Sequence, residues 1–365
     1  MDFFNTHISD KAIRAVNDVL KSGFVSAGNM AKNFEDALAK ELGLMNPVSV
    51  NSGTSALHLG LVVANIKPGD EVILPAQTFI ATGLAVLMQG AVPVFADIQL
   101  DTGNIDPESI RTKITERTKL IIAVHWGGYP CDMDEINAIA NEFNLLVMED
   151  AAHALGAIYK DRPIGSISNF TAFSFQAIKH LTTGDGGALC CRENIDYFEA
   201  KKKRWFGIDR ENSKPSELGE RLFDIDEVGY KYHLNDVSAA IGLGNLKNFS
   251  SQLSRIQQIA KIYRNELEKV EGLQLLDYKE DRRSAYWLFT VLVENRGDFV
   301  QKLKENNVPS SVVNQRIDRF SVFKQNNEKL KNQEIFDKKQ ISIPIHPAIT
   351  DDDISIILTS IKNGW

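Results

Sequence analysis

Lys179 stands in the stretch Phe173–Gly187, FSFQAIKHLTTGDGG, between a short apolar run and a glycine-rich turn. The flanking segments Thr171–Phe175 and Ala188–Cys191 are mostly apolar, aromatic or β-branched and are bounded by polar and glycine residues. That pattern predicts two short buried strands with the lysine on their connection. An amine held against an apolar scaffold gives up its proton more readily than one in water, and the neutral amine is the form that condenses with a carbonyl. A loop lysine is ordinarily a solvated charge, so its neighbours decide.

Two other stretches offer partners. Val48–Val50, the turn Asn51-Ser52-Gly53-Thr54-Ser55 and the apolar run Ala56–Val63 read as strand, small polar turn and helix start. There the backbone N–H groups and the positive helix end aim at one point, which suits a phosphate and equally suits an ordinary helix cap. Asp150 closely follows the predicted strand Leu145–Met148, so its carboxylate lies at the rim of a sheet, facing a ligand cation or capping the next segment.

The elements that must position these residues alternate from Glu71 to Asp150. Glu71–Leu74, Val92–Ala96 and Leu120–Val124 read as further buried strands, with helices near Ile80–Gln89, Pro107–Ile114 and Met133–Phe143. Such alternation predicts an α/β fold: a three-layer domain with a mostly parallel sheet and helices on both faces. Ligands in such sheets bind beyond the carboxyl ends of the strands, where Gln77-Thr78-Phe79, Asp97, His125–Gly128 and Glu149–His153 fall.

Helices are also expected over Lys11–Ser22, Ala31–Leu42 and Asn194–Arg204, and polar, mobile residues follow to about Leu222. Asn235 reads as the N-cap of a helix through Val237–Leu246, and the helical period resumes over Leu253–Val270. A smaller α+β region follows, with strands near Trp287–Val293 and Ser342–Pro344 and helices near Asp298–Asn306 and Asp351–Lys362. We expect a large domain over 1–248 and a small one over 249–365.

With 365 residues, 43% of them hydrophobic, the chain can bury a large core, and a net charge of −7 gives no global basic field for nucleic acid or an anionic membrane. The most apolar segment, Ala81–Ala96, is broken by Gln89, Gly90 and Pro93, and Met1-Asp2-Phe3-Phe4 lacks the order of a signal peptide. A cytoplasmic protein is expected. Cys131, Cys190 and Cys191 are too few and too poorly spaced for a disulfide framework or a zinc site, so reduced cysteines and no metal are expected. A nicotinamide enzyme would want a Gly-x-Gly-x-x-Gly turn, which Asn51–Ser55 does not supply.

In chain order, Ser26-Ala27-Gly28, NSGTSALHLGL, LPAQTFIAT, VHWGGYPCDMDEI, EDAAHALGA, FSFQAIKHLTTGDGG, GYKYHLNDVSAAIGL and IPIHPAIT resemble the DegT/StrS sugar-nucleotide aminotransferases. These are pyridoxal 5'-phosphate (PLP) enzymes of the aspartate-aminotransferase fold, and the resemblance covers nearly the whole chain. It implies that Lys179 forms the Schiff base with PLP and that Asp150 pairs with the pyridinium nitrogen. Phe79 would stack on the ring, Gly53, Thr54 and Ser174 would hold the phosphate, and His153 would lie near the phenolic oxygen. Lys231 would reach the cofactor phosphate of the neighbouring subunit in a homodimer with shared sites.

Arg316 and His346 are candidates for gripping substrate carboxylate or phosphates. Gln176 stands where many members carry histidine, and Lys231 and His233 where asparagine and arginine are frequent. Relatives that remove oxygen from the sugar carry histidine in place of the lysine, whereas this chain keeps Lys179. The resemblance implies ping-pong transfer of an amino group from an amino acid, L-glutamate, to the keto group of a nucleotide-linked deoxysugar. The alternatives are transamination of a non-nucleotide keto or aldehyde substrate, and a PLP-binding regulatory protein without turnover.

Overall fold

The computed structural model describes residues 1–210, 212–323 and 329–365. Seven strands form the main sheet: β1 (Pro47–Val50), β2 (Glu71–Pro75), β3 (Val92–Ala96), β4 (Thr118–Val124), β5 (Leu146–Asp150), β6 (Phe170–Ser174) and β7 (Gly187–Cys191). Their order is β1-β7-β6-β5-β4-β2-β3, and only β7 runs against the others. Between parallel neighbours the chain crosses back through a helix. From β6 to β7 it returns within one short connection, which makes the pair antiparallel. Lys179 sits on that connection, at the edge where the parallel strands end.

The strands are buried on both faces, and successive residues feed two different cores. Ile73, Ile121, Val147, Phe173 and Cys190 belong to one core, and Val72, Leu74, Ile122, Met148, Ala172 and Cys191 to the other. Helices α3 (Gly53–Val63), α4 (Ile80–Met88) and α7 (Asn194–Lys203) cover the second core. On the first lie α2 (Met30–Leu42), α5 (Pro107–Lys113), α6 (Met133–Glu142) and the start of α8 (Asp236–Leu267). α1 (Asp10–Ser22) packs on α8 so closely that a Cβ at Gly244 would come within 2.3 Å of the Ala12 backbone.

The sequence predicts a break between Leu246 and Leu253, but α8 is one helix of 32 residues. Asn248, Ser250 and Ser251 weaken the period without containing a glycine or proline to stop the helix, and Ser251 Oγ bonds back to the Asn248 carbonyl at 2.8 Å. Phe249 packs in a core of the large unit, whereas Ile256, Ile259 and Tyr263 pack against a three-stranded antiparallel sheet. The helix thus passes from one core to the other between Phe249 and Ile256.

The small sheet contains β8 (Leu273–Leu275), β9 (Phe289–Val293) and β10 (Gln340–Ile343), in that order. It is accompanied by α9 (Arg296–Glu305), α10 (Lys331–Lys339) and α11 (Asp351–Lys362). Neither β8 nor α10 is evident from the sequence. The polar connection after α7 contains a short strand pair that the sequence does not announce: Lys214–Pro215 pairs with Arg221–Leu222 across a turn in which Gly219 takes φ +94°. Residue 211, on the same connection, lies outside the described residues. Among the described residues no helix is long and apolar enough to cross a membrane, and no cluster of metal-ligating side chains occurs.

Candidate active site

The strand ends bring the chemical residues together by register. Val124 pairs with Asp150 and Asp150 with Ala172, so the carboxylate that closes β5 stands beside the end of β6. Val50 and Ser174 both pair with Gly187, which sets the turn after β1 next to Ser174. A side chain at Gly187 would strike the Ser52 and Phe173 carbonyls at 2.6 and 2.7 Å, so the two strand ends can approach only because that residue is glycine.

One cavity at this edge is lined by Gly53, Thr54, Phe79, Asp150, His153, Ser174 and Lys179. Gly53 and Thr54 open α3, whose N-cap Ser52 accepts from the Ser55 N–H. A Cβ at Gly53 would lie 2.9 Å from the Ser174 Cβ, so the wall between helix start and serine stays small and polar. At the far end the buried Asp150 accepts from Thr82 Oγ1 at 2.7 Å and from the Ala152 N–H at 3.2 Å. Burial pushes its carboxyl above the usual range, against the Thr82 and Ala152 hydrogen bonds and the charge of Lys179. Burial also lowers the Lys179 amine to about 7, opposed by Asp150.

His153 is buried, and its Nδ1 has no hydrogen-bond partner among the described residues. Burial holds the imidazole well below its ordinary pKa, so it is neutral at physiological pH. Phe79 takes the N-cap position of α4, and the residue is 57% exposed although it lines the cavity.

Several expected residues go elsewhere. Arg316 is buried outside the cavity, with Nε and Nη2 donating to the Asp318 carboxylate at 2.7 and 2.5 Å. Its charge is met within its own turn. His346 lines an adjoining crevice that shares Lys179 with the cavity, and its Nε2 donates to the Asp2 carbonyl at 3.0 Å. Lys231 lies outside its own chain's cavity, exposed, with Nζ 3.5 Å from the centre of the Trp205 ring.

The backbone of that loop nonetheless braces the phosphate-type turn. The Asn51 N–H donates to the Tyr232 carbonyl at 2.7 Å, and Asn51 Nδ2 donates to the Lys231 carbonyl at 3.3 Å. Gln176 is exposed and lines the cavity, its Oε1 accepting from the Ile178 N–H at 3.0 Å, and His233 packs on Trp205 at 4.0 Å. Asp97 caps α10 by accepting from the Asn332 and Gln333 N–H groups, and His125 is buried against Glu149 at 2.8 Å.

Trp287, Thr82 and Phe4 were not expected here. Trp287 and Phe4 line the cavity, and Thr82 supports Asp150. Trp287 begins a predicted strand and reads as core. Thr82 follows Phe79 by three residues, one helical turn, which was a usable signal.

PLP fits these residues. A helix start and small polar groups suit its phosphate, a buried carboxylate suits its ring nitrogen, the unpartnered His153 Nδ1 suits its ring oxygen, and a lysine of lowered pKa suits its aldehyde. Fold and site together define a PLP-dependent aminotransferase. The chain belongs to the DegT/DnrJ/EryC1/StrS aminotransferase family, whose sequence profile matches residues 6–362.

It is 31% identical to the UDP-4-amino-4-deoxy-L-arabinose–oxoglutarate aminotransferase of Shewanella sediminis, over 97% of this chain and 95% of that protein. It superposes on a sugar aminotransferase from Micromonospora echinospora with a TM-score of 0.95 and 32% identity, covering 100% of both chains. A protein of Streptococcus pneumoniae solved in its PLP form is similar with a TM-score of 0.90 and 30% identity, over 100% of this chain and 98% of that one.

Proposed function

We propose that the enzyme moves the amino group of L-glutamate to the keto group of a nucleotide-linked deoxysugar by a ping-pong route, in the cytoplasm, as a homodimer with shared sites. The observation that carries the reading is the convergence of Lys179, Asp150 and the α3 start on one cavity. The similar Shewanella protein, named for a UDP-linked amino sugar and oxoglutarate, supports both substrate classes.

PLP, when bound, supplies an aldehyde that takes up the amino group and a ring that absorbs the electron pair left by a departing proton. Gly53, Thr54 and Ser174 would hold its phosphate, Phe79 would cover its ring, and His153 would donate a hydrogen bond to its ring oxygen. Asp150 would keep a proton on the ring nitrogen. Lys179 would take the proton from the amino-bearing carbon of the donor and return it one position away. An amine lowered to about 7 is present in both protonation states at neutral pH, which suits a group that must accept and donate. The same residues acting in reverse would aminate the sugar.

A panel of nucleotide keto-sugars tests the substrate assignment. Glutamate should be consumed continuously, with one 2-oxoglutarate formed per sugar aminated, only when a keto-sugar is added. Turnover with simple keto acids or aldehydes and none with the sugars would replace the acceptor class.

The dimer reading rests on surface chemistry. Lys231 is exposed beside Trp205, and Phe206, Leu218, Leu222, Phe223, Ile225 and Val228 leave an apolar run uncovered in the same stretch. A second copy seated there would bring Lys231 to the partner's cofactor phosphate, where a point charge is useful. Mixing inactive Lys179→Ala with inactive Lys231→Glu after mild dissociation should restore about a quarter of wild-type activity, because half the dimers are mixed and one of their two sites is intact. Mixed dimers that form and stay inactive would show that the loop serves its own chain.

A further inference from the structure

The Lys179 amine lies 3.4 Å from the centre of the Trp287 ring. That indole reaches the cavity from the segment leading into β9, and its position is fixed by three contacts. Its Nε1 donates to the Ile178 carbonyl at 2.9 Å, and the His153 ring stacks on it at 3.9 Å and 18°. Phe4 lies nearly parallel to it at 5.1 Å and is braced edge-on by Phe3 at 4.7 Å. Trp287 also lines the crevice that contains His346, so it forms a wall between two hollows with the lysine at their common edge. A ring so held cannot follow a moving side chain. It offers one fixed, largely desolvated face to a cation, the setting in which cation–π attraction is strongest.

We propose that Trp287 is a positioning residue for Lys179, holding the amine on its ring face whenever the amine is not bonded to the cofactor. This rests on the reading of Lys179 as the proton carrier. Once displaced by the donor, a lysine side chain has four rotatable bonds, and a fixed ring face keeps the amine within reach of the reacting carbon. The contact favours the ammonium while burial favours the amine, so the ring moderates the effect of burial.

The titratable groups sharing these walls are Asp150, His153 and Asp185 on the cavity side and His7, His180, Tyr286 and His346 on the crevice side, and burial raises the Tyr286 phenol, which stays neutral. Burial lowers His153, His180 and His346, which leaves them neutral near pH 7 while the lysine titrates.

The test uses the full-length protein loaded with pyridoxamine phosphate, which leaves Lys179 free without requiring any substrate. Competitive acetylation across pH, read by peptide mass spectrometry, reports the Lys179 pKa. Trp287→Leu keeps apolar bulk and removes the ring face, so it should lower that pKa by about one unit, a tenfold change in acidity. Trp287→Phe, which retains a ring face, should recover most of the difference.

In single turnovers with glutamate, Trp287→Leu should slow proton transfer about tenfold with KM within about twofold. Fluorinated tryptophans incorporated in place of all four tryptophans weaken the ring face without changing its shape, which covers the case in which the leucine variant fails to fold. They should lower the pKa stepwise with fluorine count. A pKa that is unchanged or raised in the leucine variant, or insensitive to fluorination, would overturn the proposal while leaving the substrate assignment untouched.

Discussion

Lys179→Ala is expected to abolish amino transfer in both directions, by about ten-thousand-fold or more, while the protein remains folded and still takes up PLP. Two losses combine. The variant lacks the amine that would bond the cofactor, and it lacks the group that would carry the proton between neighbouring atoms. Folding should survive because the lysine costs stability near neutral pH. Its folded-state value of about 7 lies below the ordinary 10.5, so the unfolded chain binds the extra proton. The resulting penalty is full below pH 7 and disappears as pH rises through 10.5.

Two measurements accompany the kinetics. Borohydride reduction of the wild type should fix the cofactor to the peptide containing Lys179 and to no other. The rate at which cofactor-free protein captures PLP should climb with pH through about 7, as the amine loses its proton. A tag on another lysine, or a variant with wild-type rates, would remove Lys179 from the centre of the reaction.

What the sequence discloses about this site follows from the geometry of parallel strands. A run of buried strands separated by helices must place its carboxyl ends on one edge, so Asp150 and Phe79 could be gathered before any distance was known, whereas Ser174 joined Gly53 only through the family resemblance. The turn at Gly53 gained its meaning from Ser174, which reaches it only through the pairing of both strand ends with Gly187.

Contacts that cross between units left no comparable trace. Trp287 meets Lys179 across more than a hundred residues of chain, and its strand-like neighbours Phe289 and Val291 are ordinary core. The His346 bond to the Asp2 carbonyl is invisible for the same reason. Arg316 is the opposite case. Its charge suggested an anion ligand, yet Asp318 only two residues away meets it, and a local pair of that kind could have been weighed from the sequence. α10 escaped because its helix start is held by Asp97 from the main sheet, while its own sequence, KNQEIFDKK, is almost wholly polar.

Asp150→Asn should keep the fold and bind PLP, yet slow removal of the donor's proton by at least about a hundredfold, roughly 2.7 kcal/mol of barrier. The structure explains why the shape can be kept. Asp150 accepts from Thr82 Oγ1, which itself lies 2.6 Å from Thr78 Oγ1. An amide nitrogen in the carboxylate position would donate to Thr82, and that hydroxyl could then turn its proton toward Thr78, so the chain reverses polarity without losing a bond. The amide oxygen would still accept from the Ala152 N–H.

What disappears is the negative charge. Without it the ring nitrogen of PLP has no buried anion to keep its proton, and the ring takes up an electron pair less readily. The lysine should feel the same loss: Asp150 is the group that raises its pKa against burial, so the amine should become more acidic in the variant. The two consequences separate in stopped-flow absorbance with glutamate alone. Proton removal should slow strongly, whereas capture of PLP by cofactor-free protein at neutral pH should be at least as fast as in the wild type, because more of the amine is neutral. A near-normal rate of proton removal would reduce Asp150 to a structural acceptor for Thr82 and Ala152.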